Sequence, residues 1–319
     1  MSDVHLTMSC GDYDRTRALI DGRVKPEGIE LTTIPLPTPE RMFRMLQNGE
    51  FDVCESSTGM FLAGLEAGRS WVGIPVFPHR RFRHAYIFVH KESGITKPKD
   101  LEGRRVGVPR LANTAALWAR GALTHDYGVD QDQVHWVPFS DEYAEGMEKP
   151  KDTSLSEVVT NKSELQALKD REIDAYISPS EAAEILDPNS VVGRLFPNFI
   201  DEEKEYFRRT KLFPIMHTFV IRDSLIHEEP WIVRSMMEAW QEAIDKTYKY
   251  VRDQRKSVLV WYGDYWRQER EFFADWDPWK MDFQHNYAML DALCQYGHEQ
   301  RLVETRFKPE DIWVTGPLD

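Results

Sequence analysis

Short runs of apolar residues alternate with amphipathic stretches over the first two-thirds of the chain. The short runs have the length and composition of strands, and the stretches between them place apolar residues at helical spacing. Strands that alternate with helices predict an α/β fold with a mostly parallel sheet. The predicted strands cover residues 4–9, 29–34, 51–55, 71–76, 83–90, 105–108, 135–137, 174–178 and 215–222. The predicted helices among them cover residues 14–20, 41–46, 56–67, 114–127 and 163–171.

The pattern changes near residue 231, and from there the chain is almost purely helical. The polar segment 141–160 interrupts the alternation earlier, and we expect it to be a mobile loop. In open α/β sheets a ligand binds beyond the carboxyl ends of the strands, so functional residues are expected there. The predicted C-terminal helices cover residues 231–262, 265–273 and 283–300.

Two α/β units followed by long helices predict a bilobed protein. We expect residues 1–89 and 215–319 to form the first lobe, and residues 90–214 to be inserted into it as the second. The two crossings, near His90 and Pro214, would then act as hinges. A ligand cleft is expected between the lobes.

The composition narrows the range of functions that the chain could have. The 319 residues carry a formal net charge of −13 at pH 7, which argues against general binding to nucleic acid or to an anionic membrane. A local basic pocket for a small anion stays compatible with this charge. Three cysteines without paired spacing favour a reducing compartment. Neither a leader-like segment nor a membrane-length apolar run is visible, so we expect a cytoplasmic protein.

The segment 78–84 carries three arginines and two histidines within this acidic chain. A guanidinium group binds a carboxylate through two parallel hydrogen bonds, so these arginines are candidates for an anion cradle. The alternative is a solvated loop whose arginines pair with nearby acids.

Polar residues at other predicted strand ends are further candidates. Glu55 ends a strand and could serve as acid, base or metal ligand, and Ser57 begins the next helix. Asn113 and Thr114 begin another helix, whose first amides would suit an anion. The alternative for these helix-start residues is simple capping. His217 enters a strand at a lobe crossing, as an acid, a base, a metal ligand or a structural histidine.

Two more residues could contact a ligand from a turn or a strand end. Tyr13 lies in the turn after the first predicted strand, and Ser178 ends the strand at 174–178. The sequence contains no GxxxxGK[ST], GxGxxG, GxSxG or HExxH pattern, so the common nucleotide and hydrolase motifs are missing. Nothing near Cys54 would activate it as a nucleophile.

Several stretches that together span nearly the whole chain resemble one known family. They are GDYDRTRALIDGRVKPEGIEL (11–31), EFDVCESSTGMFLAGL (50–65), PVFPHRRFRHAYIFVHKESGI (75–95), GVPRLANTAALWARGAL (107–123), LFPIMHTFVIRDSL (212–225) and KPEDIWV (308–314). They resemble the 4,5-dihydroxyphthalate decarboxylases. The resemblance implies a type 2 periplasmic-binding-protein-like fold, with two mixed sheets flanked by helices around a cleft. It also implies non-oxidative decarboxylation of 4,5-dihydroxyphthalate to protocatechuate in phthalate degradation.

The resemblance points to site residues at Glu55, Ser57, Arg81, Arg83, His84, Thr114 and His217. Arg81 and Arg83 would hold the diacid, one of them clamping the carboxylate that stays. His84, His217 or Glu55 would give a proton to the ring carbon that loses carbon dioxide. The same three side chains could instead hold a divalent metal ion on the catechol oxygens. No organic cofactor is expected.

Two alternatives use the same arginine-lined cleft. One is a cytoplasmic or exported solute-binding protein for an aromatic carboxylate, and the other is a related enzyme acting on another hydroxylated aromatic acid. The sequence departs from the family at residues 56–60 and 110–113, which lie where a substrate would sit. The tryptophan-rich C-terminal helices offer a surface for a homo-oligomer.

Overall fold

The computed structural model describes residues 3–140 and 162–316, and two five-stranded sheets organise them. The first sheet has the order β2-β1-β3-β10-β4, with β1–β3 parallel and β10 antiparallel to both of its neighbours. Its strands are β1 (Val4–Cys10), β2 (Ile29–Pro35), β3 (Val53–Ser57), β4 (Trp71–Arg80) and β10 (Ile215–Arg222). The sheet therefore combines four strands from the start of the chain with β10, which begins more than 130 residues after β4 ends.

The second sheet has the order β7-β6-β8-β5-β9 and is mixed in the same way. Its β6 pairs in parallel with β7 and β8, whereas β5 is antiparallel to β8 and β9. Its strands are β5 (Ile87–His90), β6 (Arg105–Val108), β7 (His135–Pro138), β8 (Ala175–Ile177) and β9 (Val192–Arg194). The two mixed sheets confirm the fold class that the sequence predicts.

Helices cover both sheets and make up most of the C-terminal region. They are α1 (Arg17–Ile20), α2 (Thr38–Asn48), α3 (Thr58–Glu66), α4 (Thr114–Tyr127), α5 (Glu164–Lys169), α6 (Phe199–Thr210), α7 (Asp223–Glu228), α8 (Trp231–Val251), α9 (Tyr262–Phe273), α10 (Phe283–Glu299) and α11 (Pro309–Ile312). Short 3₁₀ helices lie at His84–Tyr86, Pro98–Leu101, Gln131–Gln133, Ala183–Leu186 and Gln254–Lys256. No helix among these described elements combines the length and apolar content needed to cross a membrane.

Helix α4 connects the hydrophobic cores of the two sheets. Leu117 and Trp118 pack into the core of the first sheet, and Ala119 and Leu123 pack into that of the second. The helix is nearly all apolar at its start, which suits an element buried on both sides. Because α4 touches both cores, its first turn lies where the two sheets meet.

Most predicted elements are confirmed, and the differences have local causes. The strand 215–222 and the helix 114–127 are observed with those bounds, but α8 ends at Val251 because a polar segment and a 3₁₀ turn follow it. Helix α6 was not predicted from the sequence. Its acidic first turn and basic last turn are ordinary helix signals that could have revealed it.

The crossing between the sheets is the most consequential difference. Strand β4 continues through Arg80, so residues 78–80 are strand and not loop. A 3₁₀ turn at His84–Tyr86 follows, so the predicted continuous strand 83–90 is wrong. The chain changes sheet between β4 and β5, and the division into lobes at 1–89, 90–214 and 215–319 stays a prediction. The predicted loop 141–160 lies outside the described residues.

Candidate active site

Glu55, the central residue of β3, forms a fully buried hydrogen-bonded centre. The strand continues to Ser57, so the predicted strand end at Glu55 is two residues too early. Its Oε2 accepts a hydrogen bond from the backbone N–H of Gly11 at 2.7 Å. Its Oε1 accepts from the hydroxyl of Tyr13 at 2.9 Å, lies 2.7 Å from Nη2 of Arg41 and lies 2.5 Å from Nδ1 of His217. Four donors from three separate parts of the chain therefore converge on one carboxylate.

These donors decide the charge of Glu55. Burial by itself raises the pKa of this carboxyl group, but the hydrogen bond and charge of His217, the guanidinium of Arg41 and the amide of Gly11 outweigh it. The pKa of Glu55 is held at about 2, so the group is ionised near neutral pH. An ionised carboxylate only accepts hydrogen bonds, so His217 must carry its proton on Nδ1. The other ring nitrogen, Nε2, is then left for a substrate.

A cavity of about 380 Å³ lies against this centre, between elements of the two sheets. Its volume falls in the usual range for small-molecule sites. Residues of α2, the β3–α3 junction and β10 form one side, and residues of the β6–α4 loop form the other. The lining residues are Thr38, Pro39, Met42, Phe43, Ser57, Met60, His79, Arg83, Arg110, Ala112, Asn113, Thr114, Ala115, Pro179, Met216 and His217.

Two arginines make this cavity suitable for an anion. Arg83 is 3% exposed, and its Nη2 donates to the carbonyl oxygen of Ser178. Its buried Nε has no hydrogen-bond partner among the described residues. Burial lowers the pKa of Arg83 to about 10, which still leaves it charged near neutral pH. Arg110 stands over the ring of Phe43 at 4.8 Å and completes a positively charged lining.

Helices α3 and α4 begin side by side at the cavity. The hydroxyl oxygens of Ser57 and Thr114 lie 2.6 Å apart, and Thr114 Oγ1 also accepts from the backbone N–H of Gly59 at 2.9 Å. Thr114, the first residue of α4, therefore caps α3, and Ser57 makes no side-chain cap of its own. Asn113 does cap α4, through the amides of Ala115 and Ala116, which confirms the capping alternative for Asn113.

His79 belongs to the site, although the sequence analysis gave it no role. It pairs with His217 across β4 and β10, and the two rings meet edge to face with centroids 4.6 Å apart. The register between these strands shifts on both sides of His217, and such an irregularity redirects side chains. The predicted strand 71–76 stops before residue 79, whereas β4 continues through Arg80 and so carries His79 into the pairing with β10.

His84 does not reach the cavity. It lies on the 3₁₀ turn and packs against the rings of Phe196, Tyr206 and Tyr127, with centroids 5.1, 5.1 and 5.9 Å away. Burial, followed by the charges of nearby arginines, lowers the pKa of His84 to about 4. The prediction that it acts beside His217 is wrong, because the turn rotates its side chain into an aromatic cluster.

Other predicted binding residues have different positions from those expected. Arg81 is exposed and stands over the ring of Tyr86 at 5.4 Å, so it does not line the cavity. The Tyr13 hydroxyl is taken by Glu55, and Ser178 contributes its carbonyl oxygen to Arg83. Tyr13 and Ser178 therefore position charged groups of the site and do not line it.

The donor set proposed for a metal ion does not fit. His84 lies in its aromatic cluster, and both carboxylate oxygens of Glu55 are occupied by N–H and O–H donors. The positive charge of Arg41 beside Glu55 further disfavours a cation there. Within residues 3–140 and 162–316, no group of three or more His, Cys, Asp or Glu side chains is arranged to hold a metal ion.

Comparisons with known proteins identify relatives of this chain and of its fold. A family model described as NMT1/THI5 like matches residues 22–149. The chain is 31% identical over 327 residues to a 4,5-dihydroxyphthalate decarboxylase of Comamonas testosteroni, covering 100% of this chain and 99% of the relative. It is 32% identical over 185 residues to a decarboxylase of the same name from Pseudomonas putida, covering 56% of this chain and 72% of the relative.

Solved structures extend the likeness to the fold. The alkanesulfonate-binding protein SsuA of Xanthomonas axonopodis pv. citri, bound to MOPS, matches with a TM-score of 0.59 and 12% identity, covering 99% of this chain and 100% of that one. The desulfurization enzyme DSZB matches with a TM-score of 0.53 and 17% identity, covering 98% and 96%. Binding proteins and an enzyme thus share this periplasmic-binding-protein fold. The full-length sequence match shows that the chain belongs to the 4,5-dihydroxyphthalate decarboxylase family.

Proposed function

We propose that the protein is a non-oxidative decarboxylase that converts 4,5-dihydroxyphthalate to protocatechuate. The observation that carries this proposal is the pairing of His217 with buried, ionised Glu55 on the wall of a cavity that also contains the buried charge of Arg83. The full-length relative that carries this enzyme name supports the same reaction.

The cavity suits an aromatic diacid. Arg83 and Arg110 supply two positive charges for two carboxylates, and Arg83 offers paired N–H groups to the carboxylate that remains. Met60, Met216 and Phe43 provide apolar surface for the ring. The buried Arg83 has no ion-pair partner among the described residues, so a bound carboxylate would supply the charge that it lacks.

His217 is the proposed proton donor. Loss of carbon dioxide requires a proton on the ring carbon that bears the leaving carboxylate, and His217 Nε2 is available for this transfer. Glu55 holds the imidazole through Nδ1 and stabilises its protonated form, as a carboxylate does in other carboxylate–histidine pairs. Such general acid assistance accelerates a reaction by about 10²–10⁴-fold. Arg41 and Tyr13 keep Glu55 ionised and fixed in position.

The remaining expectations are part of the same proposal. We place the protein in the cytoplasm, which is consistent with three free and buried cysteines among the described residues. We expect a small aromatic carboxylate as its ligand, no organic cofactor, and no nucleic-acid or membrane partner. A homo-oligomer would use the exposed apolar segment Val258, Leu259, Val260 and Trp261, which follows α8.

The test is an incubation of the purified protein with 4,5-dihydroxyphthalate, measuring carbon dioxide and protocatechuate by chromatography. We expect the wild type to form both, and His217→Gln to lower turnover by about 10²–10⁴-fold with little change in substrate affinity. His90→Gln is the matched control, because His90 is buried in β5 and does not line the cavity. Absence of product from the wild type would refute the decarboxylase assignment.

A binding protein is the second candidate, favoured by the fold match to alkanesulfonate-binding proteins. It predicts tight binding of the diacid without any release of carbon dioxide. The same incubation, combined with isothermal titration calorimetry, separates the two candidates. A related enzyme would show neither binding nor turnover of this diacid, but would process another hydroxylated aromatic acid.

A further inference from the structure

The imidazole of His79 is a second acid–base group on the cavity wall. It lies near the end of β4, opposite His217 in the pairing with β10. Its ring stands at 82° to that of His217, and the ring of Tyr13 lies 6.2 Å away on another side. One ring of this histidine pair is thus fixed by Glu55, and the other faces the same cavity.

Among residues 3–140 and 162–316, no hydrogen-bond partner occupies the ring nitrogens of His79. Its Nδ1 is buried and unpartnered, and none of the hydrogen bonds among the described residues involves this imidazole. A buried polar atom without a partner destabilises the folded state, so it needs either a structural or a functional explanation. Since His79 lines the cavity, a polar group of the ligand can supply the missing partner.

The surroundings of His79 keep it neutral. Burial and then the charge of His217 lower the pKa of His79 to about 2, and the nearby guanidinium groups of Arg81 and Arg15 act in the same direction. The opposite effect of Glu55 is too weak to compensate. Two adjacent imidazoles resist carrying a positive charge together, so His79 can take up a proton only as His217 gives its proton away.

We propose that His79 is the general base of the reaction: it binds the ring hydroxyl para to the departing carboxylate and takes its proton while His217 protonates the ring carbon. This assignment rests on the decarboxylase function proposed above. It assigns the two steps of proton movement to two different histidines. It also makes a para hydroxyl group a requirement for the substrate.

The step balances in atoms and electrons. When His79 takes the hydroxyl proton, the electron pair of the O–H bond stays on oxygen and forms a carbonyl group. A π electron pair of the ring then forms a bond to the proton that His217 donates, at the carbon that bears the carboxylate. The bond to the carboxylate then breaks, its electron pair restores the aromatic ring, and carbon dioxide leaves. The phenolate oxygen takes its proton back from His79, and one proton from solvent restores His217.

The geometry explains why neither histidine can perform both tasks. The Nδ1 of His217 is held by Glu55, so only one of its nitrogens faces a substrate. A general base must be unprotonated when a general acid beside it is protonated. The two rings have different neighbours. Different surroundings are the usual structural reason why one titratable group acts as the acid and another as the base.

The first experiment compares wild type with His79→Gln, which can hydrogen-bond the hydroxyl group but cannot remove its proton. We expect kcat to fall by about 10²–10⁴-fold with 4,5-dihydroxyphthalate, while KM changes far less. The loss should shrink for a ring-halogenated substrate whose hydroxyl is already ionised at the assay pH. His90→Gln serves as the control for replacing a buried histidine, and circular dichroism checks that each variant folds.

A second measurement uses only the wild type. We expect it to release carbon dioxide from 4-hydroxyphthalate but not from 4-methoxyphthalate, which keeps both carboxylates but has no removable proton. Turnover of the methoxy compound at a comparable rate, or an unchanged kcat in His79→Gln, would overturn the role of His79 and leave the decarboxylase function standing. A wild type that releases no carbon dioxide from any of these substrates would overturn both.

Discussion

Two buried arginines at the candidate site have different tasks because their surroundings differ. Arg41 is 1% exposed and forms an ion pair with the equally buried Glu55. Arg83 is 3% exposed, and its hydrogen-bond acceptor within the described part of the chain is a backbone carbonyl oxygen. A buried charge without a counter-charge is costly, so it is retained where a ligand supplies that charge. Arg41 therefore stabilises the protein, whereas Arg83 is suited to bind the substrate.

The first prediction contrasts Arg83 with its exposed neighbour Arg81. Replacing Arg83 by glutamine should weaken binding of 4,5-dihydroxyphthalate by about 2–5 kcal/mol, because the carboxylate loses a desolvated charge partner. Arg81→Gln should leave the affinity nearly unchanged, since that side chain points to solvent. Isothermal titration calorimetry measures both affinities. Equal effects of the two substitutions would contradict the placement of the anion site.

At the scale of elements, the site depends on how closely α3 approaches the β6–α4 loop. A Cβ atom added at Gly59 would lie 2.3 Å from the carbonyl oxygen of Ala112, which belongs to the backbone and cannot swing away. This close contact brings the Gly59 amide to Thr114 Oγ1 and brings the hydroxyl groups of Ser57 and Thr114 together. A glycine is required here for close packing and not for an unusual backbone angle.

The second prediction follows from this contact. Gly59→Ala should push α3 and the loop apart, costing about 1–3 kcal/mol of stability and weakening substrate binding. Gly64→Ala is the matched control on the same helix, because it gains the same helix propensity of about 1 kcal/mol but meets side-chain atoms, those of Trp71 at 3.1 Å and Leu46 at 3.4 Å, and no backbone atom. Urea unfolding and calorimetric titration measure the two effects. Retained substrate affinity in Gly59→Ala would argue against a role for the helix contact in binding.

For the whole molecule, the buried titratable groups determine how stability depends on pH. Burial is the main cause that lowers the pKa values of His79 and His84 to about 2 and about 4, below the ordinary histidine value of about 6.5. The folded protein therefore binds fewer protons than the unfolded chain below about pH 6.5. Glu55, whose pKa is also lowered, adds the same dependence at still lower pH. The contribution of each group to the free energy of unfolding is present at neutral pH and is lost on acidification.

The third prediction isolates one of these groups. His84→Phe removes a titrating side chain from an aromatic cluster. The free energy of unfolding should therefore fall less between pH 6.5 and pH 4 than it does in the wild type, by on the order of 3 kcal/mol at pH 4. His135→Phe, which changes an exposed histidine, should leave the slope unaltered. Urea titrations at several pH values provide the measurement. Parallel curves for wild type and His84→Phe would contradict the burial of a neutral His84.

The sequence alone determined the elements and the polar residues at their ends. Local periodicity and turn residues specify the strand 215–222 and the helix 114–127, and Glu55 and His217 stand out because each is a titratable residue on a predicted strand near the cleft. The family resemblance is carried by contiguous motifs, which need no tertiary information.

Only the tertiary structure decided which side chains meet. Glu55 and His217 are 162 residues apart, and their contact depends on the pairing of β3 with β10, which no local pattern encodes. Arg41 and His79 join the site only through packing and a register shift, and a single 3₁₀ turn excludes His84 from it. The physical reason is that composition and spacing fix how the chain folds locally, whereas burial and charge at a site arise from elements distant in the chain.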